Sequence, residues 1–170
     1  MTGTVLSVIW LLGLVYVSVR WLKIKPAYAP LFSISLAGLV LFLFAVSGKL
    51  QFGTRLVLAA GGGFFLFGIA DYKKNSGRPR LFLPRELILI LICMTLASFL
   101  LTIKMTFTVD DDYVFWGIIG KYLNYYNHLP DAETTIIRRH LAYTPGTSLF
   151  HYLGYQLFGG YRPSVSYFSQ

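Results

Sequence analysis

One cysteine, Cys93, occurs in the 170 residues, so no disulfide can form within the chain and a disulfide-stapled scaffold is excluded. Charge is scarce as well. Only 13% of residues are Asp, Glu, Lys or Arg, about half the roughly 25% share typical of soluble domains. Acidic residues number 7 against 15 basic ones, for a net charge of +8. What fills the chain instead is apolar: 55% of residues, with a mean hydropathy of +0.60. A disordered segment needs low hydrophobicity and is excluded too. Nor does the positive charge mark a nucleic-acid binder, because the basic residues stand between apolar runs rather than on one polar face. The pattern is that of an all-α, polytopic membrane protein whose charges report orientation.

A helix needs roughly 20 mainly apolar residues to cross a bilayer. Four runs meet this. Met1 to Val19 carries no charge and stops at Arg20; Pro26 to Gly48 is uncharged between Lys25 and Lys49. Leu56 to Ala70 becomes long enough when Leu50 to Thr54 join it and Arg55 snorkels to the headgroups. Leu87 to Ile103 lies between Glu86 and Lys104. Lipid cannot satisfy a bare backbone, so each run is expected to be helical. The first run has its charges after the apolar stretch, opposite to a cleaved signal peptide, and reads as a retained span. The segment 1–104 is therefore expected to be a four-helix membrane region. The triplet Gly61-Gly62-Gly63 in the third run reads as a packing notch, and no ionisable residue sits deep in a span, which makes these helices scaffold.

The connections set the orientation. The first holds Arg20, Lys23 and Lys25, and the third holds Lys73, Lys74, Arg78, Arg80 and Arg85; the second has only Lys49 and Arg55. Short basic loops stay in the cytoplasm. Residues 20–25 and 71–86 are then cytoplasmic, while the amino terminus and residues 105–144 are extracytoplasmic.

After Lys104 the chain is aromatic-rich, broken by Pro and Gly, and holds all three histidines. Asp110-Asp111-Asp112 supplies three of the seven acidic residues at one place. From Asp112 to Asn124 the spacing predicts an interfacial amphipathic helix. Its Phe115, Ile118, Ile119 and Tyr122 are expected to face lipid, with Tyr113, Gly117, Gly120, Lys121 and Asn124 opposite. Asn127 to Pro130 ends it. A further membrane-associated or transmembrane helix is expected from about Pro145 to Phe158 within a third region, 145–170. Gly159-Gly160 stops that helix and Arg162-Pro163 prepares another start.

One aspartate, or two, is explained by helix capping and the helix dipole. A third in a row is not, since like charges repel where water is scarce. The alternative is a site where a carboxylate takes a proton or holds magnesium or manganese, with Asp110 and Asp111 as the ligands. Arg138, Arg139 and His140 can meet an anionic headgroup through the guanidinium fork, or act as a polybasic contact with ordinary lipid. His128 and His151 form no metal-ligand spacing and read as interfacial or packing residues.

The order of these pieces resembles the first outer loop of GT-C-type membrane glycosyltransferases. Asp111-Asp112 with Phe115 and Trp116 stands where bacterial members carry an Asp-Glu pair and an aromatic. Tyr143-Thr144-Pro145-Gly146 through Tyr152 follows where they carry a Pro-Pro-Leu-aromatic stretch, then Leu157-Phe158-Gly159 and Arg162-Pro163-Ser164. The resemblance covers about the last 65 residues. It departs in having Asp-Asp for Asp-Glu, Pro-Gly for Pro-Pro and three spans before the family's first. It implies that the chain is the amino-terminal part of a larger GT-C-like fold in a bacterial inner or plasma membrane.

The activity it implies is transfer of a sugar from a polyprenyl-phosphate or pyrophosphate donor to a cell-envelope acceptor at the outer surface. Asp111 is then the base, with Asp110 next in line, and Asp112 sits at the helix start. Asp112, Lys121, Arg138, Arg139, His140 and Tyr143 are the candidate substrate contacts. Magnesium or manganese is optional, and the partners are membrane lipid and the lipid-linked donor, with no nucleic acid. The alternative is a non-catalytic scaffold or polysaccharide-export component that binds lipid-linked glycan.

Overall fold

The computed structural model describes residues 2–74, 89, 92, 93, 96, 117–131 and 146–168. Among the described residues the chain is all helical and has no strand. Helices α1 (Thr2–Arg20), α2 (Ala29–Val46) and α3 (Leu50–Lys74) form an up-down-up bundle. Short helices α4 (Ile118–Tyr126), α5 (Gly146–Phe158) and α6 (Pro163–Phe168) form a second layer at one end of it. Two stretches are long and apolar enough to cross a bilayer, Ala29–Val46 and Leu50–Asp71, while the apolar part of α1, Val5–Arg20, is shorter. Of the expected fourth run, positions 89, 92, 93 and 96 are helical. Leu89, Ile92 and Leu96 share one helical face by their spacing, and all three are exposed.

The turn between α2 and α3 is written in its sequence. Gly48 adopts φ 71°, the left-handed conformation that costs glycine nothing. That lets the Lys49 N–H bond back to the Phe44 carbonyl at 2.8 Å and the Gly48 N–H to Ala45 at 3.1 Å, capping the carbonyls of α2. The α1–α2 connection is longer and turns at Lys23, which holds φ 58° without being glycine.

Although α1 and α3 are separated by a whole helix, they make the most extensive contact in the bundle. A Cβ on Gly13 would lie 1.9 Å from the Gly61 carbonyl oxygen, so the two backbones touch. Beside them the Trp10 indole N–H donates to the Val57 carbonyl at 3.0 Å within the buried seam. Among the described residues, only Gly61 of the glycine triplet meets a neighbouring helix; Gly62 and Gly63 have nothing within 4 Å of an added Cβ. The packing notch is one residue wide, with Gly13 as its other half.

The third helix runs past its expected end at Ala70 to Lys74. Asp71 is the reason. Its carboxylate accepts from the Tyr16 hydroxyl at 2.6 Å and lies 3.7 Å from Arg20, so a charge that would normally open a loop is held against α1.

Candidate functional site

Helix α5 ties the second layer to the bundle. Its 13 described residues rise about 20 Å, less than the roughly 30 Å hydrocarbon thickness. The Phe158 ring packs on α1 at Gly3 and the Phe150 ring on α2 at Gly38, each where glycine leaves room. Gly3 lies in the first turn of α1, so α5 sits toward the end of the bundle away from the Arg20–Asp71 pair. The helix ends at Gly159, with φ 77°, and the Gly160 N–H bonds to the Tyr155 carbonyl at 2.8 Å. Its described part begins at Gly146 and it stops at Phe158, the end expected from the sequence.

Three buried side chains of α5 make polar contacts or carry shifted acidity. The Tyr152 hydroxyl donates to Asn127 Oδ1 at 2.5 Å and thereby fixes the end of α4, where Asn127 adopts the left-handed conformation at φ 58°. Burial raises the pKa of Tyr152, with Thr54 and Arg55 of α3 acting in the opposite direction. Tyr155 bonds to Ser166 of α6, and burial pushes its phenol up to about 12. An added Cβ on Gly120 of α4 would lie 2.9 Å from the Tyr155 hydroxyl, so this glycine is what lets α4 approach. His151 is fully buried beside Tyr155, and burial lowers its pKa to about 4.

The lowered histidine makes stability pH-dependent. Between the unfolded value of 6.5 and the folded value of about 4 the unfolded chain binds the extra proton. The stabilisation is therefore complete above pH 6.5 and is lost as pH falls toward 4. From pH 7 to pH 5 the loss is expected to be about 2 kcal/mol. Thermal unfolding at the two pH values checks it: the slope should flatten in His151→Phe, and an unchanged slope would assign it to other groups.

The lipid-facing assignment for α4 is corrected. Ile119, expected to face lipid, is buried with Gly120 and Leu123, because α5 runs alongside and supplies a protein partner for that face. Ile118 and Tyr122 are half-buried. Tyr125 and Tyr126 are the exposed aromatics. Tyr122 contacts Tyr126 and meets the His128 ring edge-on, with centroids 4.7 and 5.3 Å away. The helix also runs two residues beyond Asn124.

Of the sequence-derived site residues, Lys121 is on α4 and exposed, on a side not buried by α5. Asp110, Asp111, Asp112, Arg138, Arg139, His140 and Tyr143 lie outside the described residues. Among the described residues no three His, Cys, Asp or Glu side chains come together to hold a metal ion. What the structure adds is Asn127, Tyr152, Tyr155 and Ser166, which join α4, α5 and α6 through hydroxyl and amide contacts. Comparison with known proteins gives no match among protein-family models, curated proteins or solved structures.

Proposed function

We propose that the α4–α6 layer is the platform of a membrane glycosyltransferase that moves a sugar from a polyprenyl-phosphate or pyrophosphate donor to an acceptor at the extracytoplasmic surface. The observation that carries the reading is the seating of α5 on α1 and α2, toward the bundle end away from Arg20, Lys23, Lys25, Lys73 and Lys74. If basic connections mark the cytosolic side, the layer belongs to the other side. Chain continuity brings the sequence-derived chemistry to this layer: Asp112 precedes Gly117 by five residues, at most about 18 Å of extended chain, and Tyr143 precedes α5 by three.

In the proposed reaction Asp111 accepts the proton of the acceptor hydroxyl, whose oxygen bonds to the anomeric carbon. The bond from that carbon to the phosphate oxygen breaks, and the lipid phosphate leaves with the electron pair. Arg138, Arg139 and His140 are the groups suited to meet its charge.

Transfer to acceptor by the protein in proteoliposomes, with Asp111→Asn and Asp110→Asn at equal abundance, tests the chemistry. Unchanged turnover in both removes it. Donor binding without any transfer in the unaltered protein would instead favour the glycan-binding scaffold, for which exposed Tyr125 and Tyr126 offer ring faces. Orientation has its own test in a Cys93→Ser background. Lys49→Cys is expected to react with an impermeant maleimide in intact cells, and Lys23→Cys and Lys74→Cys only after permeabilisation. The reverse pattern would put the layer in the cytosol.

A further inference from the structure

From the middle of the bundle toward its basic end the three long helices do not close completely. A cavity of about 200 Å³ lies between them, lined by Leu14 and Val17 of α1, Leu36 and Val40 of α2, and Val57 and Phe64 of α3. It is larger than engineered apolar cavities of about 150 Å³ that bind benzene. Its polar lining, Ser18 and Ser33, is satisfied internally, the two hydroxyls lying 2.9 Å apart. Leu36 and Leu56, on α2 and α3, are 43% and 47% exposed, so the crevice opens sideways between these helices. Its α1 wall runs from Leu14 to the helix end at Arg20, about 9 Å, and continues into the turn at Leu22.

Two cations are held at one end of this crevice. The Ile24 N–H bonds to the carbonyl of Ser18, a wall residue, at 3.0 Å, and Ile24 packs against the core. Lys23 and Lys25 flank Ile24 and are exposed. Arg20 beside them is already opposite Asp71.

We propose that the crevice is a binding site for one acyl chain of an anionic phospholipid whose headgroup phosphate lies against Lys23 and Lys25. Lipid tails are as apolar as leucine, so chain burial gives no preference over bulk lipid. Selectivity therefore comes from the headgroup charge, and the crevice fixes where the lipid sits. The site is separate from the α4–α6 layer and rests only on the bundle lying in a bilayer. A phospholipid fits better than the lipid-linked sugar, whose proposed reaction is assigned to the opposite end.

The test uses chain-spin-labelled phosphatidylglycerol and phosphatidylcholine added to the full chain in symmetric bilayers, reading the motionally restricted fraction by electron paramagnetic resonance. Symmetric bilayers make the result independent of orientation and of any transferase activity. Phosphatidylglycerol is expected to associate more strongly than phosphatidylcholine, with the preference falling about fivefold for each of Lys23→Gln and Lys25→Gln. Leu36→Trp, at the half-exposed mouth where the larger ring needs no core repacking, should reduce the restricted phosphatidylglycerol fraction with both lysines intact. Equal association of the two lipids overturns the proposal. So does a preference that survives Leu36→Trp: the charge would then act on lipid at large, with the crevice filled by another segment of the chain or a second copy.

Discussion

Replacing Gly13 by alanine is expected to lower the thermal midpoint by about 6–12 °C, corresponding to about 3 kcal/mol or more. The methyl group would stand 1.9 Å from the Gly61 carbonyl oxygen and 2.7 Å from the Phe65 nitrogen. Both are backbone atoms of α3 and cannot rotate aside, so the two helices have to separate. Separation also breaks the bond from the Trp10 indole to Val57, leaving a buried donor unmet at a further cost of about 1–3 kcal/mol. Gly62→Ala and Gly63→Ala are the controls. Nothing lies within 4 Å of either added Cβ, and alanine is the better helix former by about 1 kcal/mol, so both should be neutral or stabilising. A Gly13→Ala protein that melts with the unaltered one would contradict the α1–α3 contact.

The second large effect concerns the proposed chemistry. Asp111→Asn is expected to reduce sugar transfer by about 10²–10⁴-fold, the range for removing a positioned base. The amide keeps the size of the carboxylate but cannot take the acceptor proton. Because the base acts on the acceptor, kcat should fall while the KM for the lipid-linked donor stays put. Asp112→Asn should do little if that residue only caps a helix, since Asn and Asp cap about equally well. Equal losses at positions 111 and 112, or a donor KM that rises with either, would mean that the acidic run binds or folds rather than accepts a proton.

The parts of the fold legible in the sequence are those that local chemistry decides. A charge-free window between Lys25 and Lys49, and a run from Leu50 to Ala70 interrupted only by Arg55, mark α2 and α3 because long apolar stretches with few charges form helices whatever their neighbours. Gly48 and the Gly159-Gly160 pair mark helix ends because the backbone there needs left-handed angles. Partner choice was not legible. Gly13 carries no signal of its own; its role appears only when α3 is laid parallel beside α1. Asp71 reads as the start of a loop until Tyr16 and Arg20, far back in the chain, are brought to it. The buried face of α4 was misassigned for the same reason: Ile119 is apolar enough for lipid or for protein, and the position of α5 decides. Asn127 was read as a helix end and Tyr152 as part of an aromatic stretch, and Tyr155 was not singled out, although a tyrosine pair three residues apart beside a histidine is a signal that a helix face will be buried with its polar tips engaged.

The preference of α1 for α3 over α2 bears on how the protein is made. When α1 leaves the ribosome, the surface that accepts the Trp10 indole and the bare backbone at Gly13 has not been synthesised. If the bundle lies in a bilayer, helices α2 and α3, joined by three residues, can enter it as a hairpin, and α1 must then find the far arm of that pair. Until it does, the Trp10 indole N–H lacks the Val57 carbonyl it meets in the folded bundle, and the seam around Gly13 stays open. A chain arrested shortly after Gly48 should therefore be short-lived in the cell, whereas one extended through Lys74 should persist.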